Sequence, residues 1–275
     1  MELHADNATP SGVVTLISDF GLRDPFVGVM KGRILERFPA ARIVDLTHEV
    51  AAHRPAEAGF WLARSYRWFP VGSVHVAVVD PGVGSARDIL LLESLGHRLL
   101  APDNGLLEMV RRSDPASCAW RVTSAGLSRC GVGRVSATFH GRDIFAPLAA
   151  ELAAGRVSAA DLGERVASIV PSWVDPPTVT PERIAGQVIT IDHFGNLITD
   201  IDATLLQQLR EPLVHVGGRV LSLRRTYADR TPGSPLALVN SFGTLEIAVA
   251  EGRAADVLGL SRGAPIVVLD GVRRN

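Results

Sequence analysis

Asp80 and Arg87 are spaced along the chain in a way that suits proton transfer. Asp80 ends the apolar run SVHVAVV and is followed by PGVGSAR, a loop that begins rigid and becomes flexible, so it can return Arg87 beside the carboxylate. An adjacent guanidinium holds a carboxylate in its ionised form. The pair therefore predicts an ionised carboxylate with a fixed partner at the end of a strand.

His140 is the third candidate for this chemistry. It lies in ATFHGRDIF, directly before a predicted helix. The dipole at a helix N-terminus favours a neutral imidazole, which suits a site that handles hydroxide. A lone histidine is also often structural, and spacing alone does not bring residues 80, 87 and 140 together.

Acidic residues end two further predicted strands. Asp19 follows VVTLIS and Asp45 follows RIV. Ligand sites of open α/β sheets collect at the carboxyl ends of the strands, which favours a binding role. Carboxylates at such ends also cap helices and form turns, so that interpretation stays open for each of them.

Two glycine clusters and one pair of histidines match only part of a known nucleotide-binding or zinc-binding motif. GVGSAR at 82–87 and GVGRVS at 131–136 lack the third glycine of a dinucleotide loop and the GK[ST] of a phosphate loop, so we interpret their glycines as positions of positive φ or close approach. In HEVAAH, His48 and His53 are five residues apart, about 140° around a helix, which argues against a zinc site. We expect His48 and Glu49 in a loop, facing solvent or a subunit contact.

The elements that position these residues follow from hydrophobic patterning. From Val13 to about Val170, short β-branched runs alternate with amphipathic stretches, which predicts an α/β domain with a mixed sheet covered by helices. ILLLESLGHRLLAPDN predicts a hairpin that turns at Leu95 and Gly96, and GRDIFAPLAAELAAG predicts a helix ended by a glycine.

A domain boundary is predicted at PSWVDPPTVTP, where four prolines within residues 171–181 favour extended backbone. Beyond it, strand-like runs are broken by Gly, Asn and Pro, with only short helical pieces such as ATLLQQLRE. We therefore divide the chain into an α/β domain at 1–170, a proline-rich linker at 171–182 and a mostly antiparallel β domain at 183–275.

Composition limits the binding partners and the cellular compartment that we expect for this chain. Lys and Arg total 28 against 29 Asp and Glu, so the chain has no basic excess to neutralise phosphates, and neither nucleic acid nor an anionic membrane is an expected partner. Two cysteines, 118 and 130, are too few for a disulfide scaffold. The N-terminus is polar and no apolar run reaches about 18 residues, so we expect a cytoplasmic protein.

Taken together, the motifs resemble a known family. ISDFGLRDPFVGVMKG, VDLTHEV, VVDPGVGSAR, APDNGLL, TFHGRDIFAP, IDHFGN and NSFGTLEIA are similar, in this order, to the S-adenosyl-L-methionine hydroxide adenosyltransferases, which form adenosine and are relatives of the bacterial fluorinase and chlorinase. The resemblance runs from about Val13 to Leu269, nearly the whole chain.

The resemblance implies a fold, an assembly and a reaction. The fold is an N-terminal α/β domain with a smaller, β-barrel-like C-terminal domain. The assembly is a homotrimer in which S-adenosyl-L-methionine (SAM) lies at a subunit interface, between the N-terminal domain of one chain and the C-terminal domain of its neighbour. The reaction is displacement at C5′ of SAM by water or hydroxide, with SAM as substrate and with no cofactor or metal.

The resemblance also implies roles for individual residues. The family's hydrolase branch uses an Asp, Arg and His trio, which carries over to Asp80, Arg87 and His140. The halide-using branch departs from this trio, so the trio points to water. The implied substrate contacts are Asp19 at the ribose hydroxyls, Asn196 at adenine, Asp192, Ser241 and Asp24 around the methionine amino end, and Glu246 and Val249 in the strand facing adenosine. Apart from the resemblance, an aromatic face attracts a sulfonium cation, which makes Tyr227, Phe194 or Phe242 candidates to line the pocket, although plain packing explains each of them equally well.

Three other functions remain open on the sequence. A chloride-using adenosyltransferase is the nearest alternative within the family. A non-catalytic module that binds SAM or adenosine is an alternative from another class. A metal-dependent hydrolase is a third, although the sequence offers no His, Cys and carboxylate cluster with ligand spacing.

Overall fold

Two β-sheets organise the chain, one in each of two units that comprise residues 1–173 and 174–275. A computed structural model describes residues 8–271. The first seven residues of the polar N-terminus, on which the expectation of no secretion signal rests, lie outside the described residues, as do residues 272–275.

The first unit contains a mixed sheet of seven strands in the order β2-β1-β3-β5-β4-β6-β7. Neighbours among β2, β1, β3 and β5 are parallel, whereas the remaining neighbours are antiparallel. The strands are β1 (Val13–Ser18), β2 (Arg42–Thr47), β3 (Val74–Val78), β4 (Ile89–Ser94), β5 (His97–Pro102), β6 (Cys118–Val122) and β7 (Gly163–Val166). Because helices cover both faces, β1 and β3 are buried along their whole length, as their continuous apolar runs predict.

Helices on the two faces of this sheet enclose two apolar layers. The helices are α1 (Phe26–Arg37), α2 (Pro55–Ser65), α3 (Glu108–Ser113), α4 (Ser124–Arg129), α5 (Ala146–Ala153) and α6 (Ala159–Leu162), with a 3₁₀ turn at Tyr66–Trp68 and a π-helical turn at Gly141–Phe145. Met30 and Leu148, from α1 and α5, pack against one face. Leu62 and Val110, from α2 and α3, pack against the other.

The predicted hairpin joins β4 to β5. Ser94 pairs with His97, and the two residues between them turn with positive φ, 49° at Leu95 and 78° at Gly96. Two consecutive positive φ values match the twist of flanking strands, which is why a glycine is favoured in such a turn. The prediction of the turn at these two residues is confirmed.

The second unit is a closed barrel of seven strands. Its ring runs β10-β14-β13-β12-β11-β15-β9 and closes where β9 pairs with β10, and β8 extends the sheet beside β9. The strands are β8 (Thr178–Thr180), β9 (Arg183–Ile191), β10 (Leu197–Asp202), β11 (Pro212–Val216), β12 (Arg219–Arg224), β13 (Pro235–Val239), β14 (Thr244–Val249) and β15 (Pro265–Asp270), and the helices are α7 (Ala203–Leu206) and α8 (Ala254–Leu258). A 3₁₀ turn spans Tyr227–Asp229.

Alternating side chains fill the barrel. Inward-facing residues of every second position, such as Val214 and Val216 on β11 or Leu245 and Ile247 on β14, form one apolar cluster. This alternation is the pattern that a sheet with one buried face requires. The predicted fold class, an α/β unit followed by a mostly antiparallel barrel-like unit, is therefore confirmed.

The proline-rich segment 171–182 contains bends at 173–174, one short strand and a turn at 181–182. Thr178–Thr180 forms β8 and pairs with β9. The β-branched sequence Thr-Val-Thr favours a strand, and β8 lies at the end of the strand order, where nearby prolines do not interrupt a central ladder.

Candidate active site

Asp19 and Asp80 come together because the strands that precede them are neighbours. Ser18, the last residue of β1, is in register with Val78, the last residue of β3, and the two strands are parallel. Both carboxylates follow within two residues of these ends. They therefore lie at the same carboxyl edge of the sheet, where ligand sites of α/β folds collect.

Arg87 holds the Asp80 carboxylate with a forked set of hydrogen bonds. Its Nε donates to Oδ1 at 2.7 Å and to Oδ2 at 2.8 Å, and its Nη2 also donates to Oδ2. The side chains of Asp80 and Arg87 are only 4% and 9% exposed. Charge-assisted bonds of this fork geometry fix both position and orientation, so the sequence expectation that the loop returns Arg87 to Asp80 matches the geometry.

The loop between these two residues depends on Gly84. Val83 N–H donates to the Asp80 carbonyl at 3.1 Å, which starts the turn. Gly84 has φ of 81°, and a Cβ there would lie 2.3 Å from the carbonyl oxygen of Ala137. Only glycine allows this approach, which packs the Asp80 loop against the segment that leads to His140.

His140 completes a chain of contacts with this pair. Arg87 Nη2 lies 2.9 Å from His140 Nδ1. A guanidinium only donates, so Nδ1 accepts, and the proton of a neutral ring sits on Nε2. Burial lowers the pKa of His140, the charge of Arg87 lowers it further, and Asp80 and Asp143 oppose the shift. The ring is therefore held neutral, with one N–H to offer.

A π-helical turn sets the direction of His140. The histidine precedes the turn Gly141–Phe145, whose wide ring is closed by the bond from Ala146 N–H to the Gly141 carbonyl, and α5 follows. The predicted helix is present, but it starts with this wider turn. Such turns recur at functional sites because they re-aim neighbouring side chains.

A cavity of about 330 Å³ opens beside these groups. Asp80 and His140 line it together with Asp19 and several aromatic rings. Three of those rings, Phe20, Phe26 and Phe139, pack edge to face with centroids 5.4 to 6.1 Å apart. The cavity thus places a carboxylate and a neutral imidazole against an apolar wall.

Asp19 and Asp24 have different surroundings. Asp19 lines the cavity, and its Oδ2 accepts a bond of 3.0 Å from the backbone N–H of His53. Asp24 is exposed on the bend before α1 and does not line the cavity. Of the two predicted acidic contacts in this unit, the structure brings only Asp19 to Asp80.

The barrel unit carries a second cavity, of about 490 Å³. Asn196, Tyr227 and Val249 line it with Phe194 and Arg253. Asn196 lies in the FGN turn after β9, Tyr227 begins the 3₁₀ turn after β12, and Val249 ends β14. Four of the residues named from the sequence, Asn196, Val249 and the aromatic candidates Tyr227 and Phe194, therefore share one cavity.

Asp192 and Asn196 form a closed turn. Asp192 accepts from Asn196 through both carboxylate oxygens, 2.8 Å from the backbone N and 3.0 Å from Nδ2. Between them, Gly195 has φ of 86°, and a Cβ there would meet Arg253 Cβ at 2.8 Å. The turn orients the Asn196 amide and leaves its Oδ1 as an acceptor.

Glu246 lies behind this cavity and is 2% exposed. Tyr227 Oη donates to Glu246 Oε1 at 2.8 Å. Burial raises the pKa of Glu246, hydrogen bonds from Tyr227 and Asn240 act against that, and the charge of Asp192 adds to the rise. Burial and the bond to Glu246 likewise raise the pKa of Tyr227. Asp192, Tyr227 and Glu246 thus form one acidic cluster.

Ser241 follows Asn240, whose side chain bonds to Glu246, but Ser241 itself faces solvent. It is exposed in the turn between β13 and β14. The neighbouring Asn240 accepts from Phe242 N at 3.0 Å and from Thr244 N at 3.2 Å, which fixes that turn. Ser241 does not line the cavity of the barrel unit.

Sequence reasoning missed two features of the HEVAAH segment. His48 was expected to face solvent or a subunit contact, but it is 3% exposed and its Nδ1 lies 2.7 Å from Ser18 Oγ. The correction has a physical reason, because the segment crosses the carboxyl ends of β1 and β2 and the hydroxyl of Ser18 satisfies the buried ring. His53 lines the first cavity with φ of 62°. The only indication in the sequence that His53 could reach this cavity is its position shortly after the strand VDLT.

Neither a metal cluster nor a membrane-spanning helix is found among the described residues. Within residues 8–271, no three His, Cys, Asp or Glu side chains cluster closely enough to hold a metal ion. No helix in that range has both the length and the apolar character needed to cross a membrane.

Comparison with known proteins gives matches over most of the chain. Models described as the SAM hydroxide adenosyltransferase N-terminal and C-terminal domains match residues 14–163 and 186–267. An (R)-S-adenosyl-L-methionine hydrolase of Thermus thermophilus is 40% identical, over 93% of this chain and 99% of that protein. One of Salinispora arenicola is 38% identical, over 94% and 98%. A crystal structure of an uncharacterized conserved protein from Thermotoga maritima superposes with a TM-score of 0.84 at 32% identity, over 93% of this chain and 99% of that one.

Proposed function

This chain belongs to the SAM hydroxide adenosyltransferase family, and on that premise we propose that it is an enzyme that hydrolyses SAM to adenosine and L-methionine. The observation that carries the catalytic assignment is the bridge that Arg87 makes between Asp80 and His140. It supports a site in which these two side chains handle one water molecule at C5′ of SAM.

The hydrogen-bond directions suggest a role for each group. Asp80 Oδ2 accepts from both Nε and Nη2 of Arg87, whereas Oδ1 accepts only from Nε among the described residues. Each carboxylate oxygen has two lone pairs, so Oδ1 keeps one for a water proton. The Nε2–H of a neutral His140 donates to the water oxygen, and Arg87 keeps both partners in place.

The reaction balances without a general acid. The water oxygen forms a bond to C5′ while the C5′–S bond breaks, and the bonding pair passes to sulfur, which leaves as the neutral thioether of methionine. The released proton passes to Asp80 and then to solvent. A positioned base contributes typically about 10²–10⁴-fold to the rate. Alignment within a water-poor cavity contributes roughly 7–11 kcal/mol of the barrier in well-oriented reactions.

The substrate contacts are part of the same proposal. Asp19 accepts from the ribose hydroxyls, since an ionised carboxylate suits a pair of O–H donors. Asn196 presents its amide to the edge of adenine. Asp192, in the acidic cluster, binds the methionine amino end, because an ammonium group is favoured beside a carboxylate, and Glu246 belongs to the strand that faces adenosine. Tyr227 supports that cluster through its bond to Glu246.

We further propose a homotrimer in which each catalytic site is completed by the barrel unit of a neighbouring chain. The support for this proposal is that the polar side chains that SAM would need are divided between two cavities. The first unit's cavity contains Asp19, Asp80 and His140, and the barrel unit's cavity contains Asn196 and Tyr227. Neither cavity has the full set that a nucleoside with an amino-acid tail requires.

We place the enzyme in the cytoplasm and assign it no metal. Both cysteines are free thiols, which supports a reducing compartment. A sulfonium leaves as a neutral group, so the chemistry makes no demand for a Lewis acid at the leaving atom. Turnover that persists after dialysis against a chelator is the expected result.

One assay tests the proposed reaction. The protein is incubated with SAM in ¹⁸O-labelled water, with and without chloride, and the nucleoside products are separated and weighed by mass spectrometry. We expect adenosine with the label in its 5′ oxygen in both cases. Formation of 5′-chloro-5′-deoxyadenosine would instead identify a halide-using enzyme, and calorimetric binding without any product would identify a binding module.

A further inference from the structure

His48 contacts both ends of the turn that carries Asp19. Its Nδ1 lies 2.7 Å from Ser18 Oγ, at the end of β1, and its backbone carbonyl accepts from Gly21 N–H at 2.8 Å. One residue therefore holds both ends of the turn at residues 18–21. The ring is buried, so it does not exchange these partners for solvent.

Charged groups lie beside the far edge of the His48 ring. His48 Nε2 lies 3.1 Å from Asp45 Oδ1 without the alignment of a hydrogen bond, while Lys31 Nζ lies 2.5 Å from Asp45 Oδ2. Burial alone would raise the pKa of Asp45, but its contacts with Lys31 and His48 outweigh burial and lower that pKa. The Asp45 carboxylate thus faces the Nε2 edge of the ring, and the Nδ1 edge faces Ser18.

The contact between His48 and Ser18 reaches the backbone beside Asp19. Ser18 Oγ lies 2.7 Å from His48 Nδ1 and accepts from Phe20 N–H at 3.3 Å, so one hydroxyl joins the ring to the residue that follows Asp19. The Asp19 carboxylate itself accepts from His53 N–H at 3.0 Å. The segment from His48 to His53 therefore contacts the turn at its start, at its carboxylate and at its end.

We infer that His48 is a positioning residue for ribose recognition, acting through Ser18 to hold Asp19 in the orientation that accepts from both ribose hydroxyls. The inference rests on the proposed function, in which Asp19 contacts the ribose. A carboxylate that serves two neighbouring hydroxyls needs a defined plane, and a displacement of a few tenths of an ångström weakens both bonds together. This gives HEVAAH a role that its spacing as a metal motif does not.

The test compares the binding of adenosine and 2′-deoxyadenosine by calorimetry, using the full chain and its His48→Leu variant. We expect the unmodified protein to prefer adenosine. His48→Leu should bind adenosine about tenfold more weakly, the range of a lost bond to a charged group, and its preference should fall to within about twofold. His48→Asn keeps a polar group near the Nδ1 position and should recover most of the preference.

A matched control separates positioning from general loosening. His75 is equally buried and lies 2.7 Å from a hydroxyl, that of Thr15, but it does not line the cavity. His75→Leu should lower the melting temperature and keep the nucleoside preference. If His48→Leu does not fold, Ser18→Ala removes the same contact with little change in volume and decides in the same way.

The outcomes distinguish this inference from the proposed reaction. It is overturned if the unmodified protein binds both nucleosides equally, if His48→Leu or its Ser18→Ala substitute keeps the preference, or if His75→Leu loses it to the same degree. The proposed reaction fails separately, if the unmodified protein releases no adenosine from SAM. Nucleoside binding needs no turnover, so each result can occur without the other.

Discussion

Arg87 Nη2 lies 2.9 Å from His140 Nδ1, and the same nitrogen donates to Asp80 Oδ2. A carboxylate and an imidazole that are 60 residues apart in sequence are thus joined by one guanidinium. Because a guanidinium stays protonated at all accessible pH values, it keeps the imidazole an acceptor at Nδ1 and donates to the carboxylate. The orientation that the proposed reaction needs for both groups is set by this contact.

Replacement of Asp80 by asparagine tests the proposed base. Asp80→Asn keeps the size of the side chain but removes the charge and the basic lone pair. Adenosine release from SAM should fall by about 10²–10⁴-fold, the range of a positioned base. Adenosine binding, measured by calorimetry, should change little. Release at the parent rate would exclude Asp80 as the base.

Replacement of Arg87 by lysine tests the bridge. A lysine keeps the charge, but it lacks the rigid fork that reaches Asp80 and His140 together. The kcat for adenosine release should fall at least tenfold while KM changes less, as expected when an interaction of the transition state is lost. Arg121, whose ion pairs are exposed, provides a matched control, and Arg121→Lys should match the parent. Equal effects of the two substitutions would contradict the assignment.

The pH dependence of turnover should reflect His140. Burial and then Arg87 lower its pKa below the ordinary value of 6.5. If the neutral ring is the active form, kcat should stay level as the pH falls to 6.5 and decrease only below it. The measurements are kcat from pH 4.5 to 8 and titration of the ring by NMR. An acidic limb centred above 6.5 would contradict a neutral role.

Substitution of Gly84 tests the loop that returns Arg87. Alanine at this position combines a positive φ with a Cβ 2.3 Å from the Ala137 carbonyl oxygen, so Gly84→Ala should lose about 1–3 kcal/mol of stability as well as turnover. A Cβ at Gly133 would meet no atom of a non-adjacent residue within 4 Å, and the φ of Gly133 is not positive. Gly133→Ala should therefore leave the thermal midpoint and adenosine release unchanged. A stable, fully active Gly84→Ala would show that the loop tolerates another conformation.

Acid should destabilise the first unit through His75. Burial and then the charge of His97 lower the pKa of His75 from 6.5 to about 3. The folded chain therefore binds this proton less readily than the unfolded chain, so the stabilising contribution is complete above pH 6.5 and is lost as the pH falls towards 3. One such group changes the free energy of unfolding by up to about 1.4 kcal/mol per pH unit.

Urea unfolding at several pH values measures this dependence. His75→Leu should reduce its slope between pH 6 and 4 by about one proton equivalent, that is about 1.4 kcal/mol per pH unit. His215→Leu, which removes a half-buried histidine of the barrel unit, controls for the loss of a histidine as such. A parent slope that His75→Leu leaves intact would assign the acid sensitivity to other groups.

The sequence predicts best those features that depend on local rules. The turn at Leu95 and Gly96 follows from hairpin geometry, and the contact between Asp80 and Arg87 follows from a short loop with a rigid start. The carboxyl edge shared by Asp19 and Asp80 follows from two buried parallel strands. Each of these features follows from a turn, a short loop or the pairing of two adjacent strands.

Features that depend on tertiary packing were not predictable in this way. His140 meets Arg87 only because Gly84 packs on Ala137, a contact between distant segments. His48 is buried because β1 supplies a hydroxyl partner, which a pattern of polar residues does not reveal. Ser241 and Asp24 lie in exposed segments that line neither cavity of the single chain, so their contacts with substrate stay predictions.

The π-helical turn Gly141–Phe145 constrains how this segment can vary in length. Each residue of an α-helix advances the chain by about 100°, and a π turn accommodates one residue more than an α turn. Deleting one residue as the turn became regular α-helix would leave His140 and α5 in nearly the same relative orientation, whereas closing the turn as α-helix with all its residues kept would rotate His140 by about 100° away from Arg87. The direction of His140 therefore depends on a match between the length of this segment and the width of its turn.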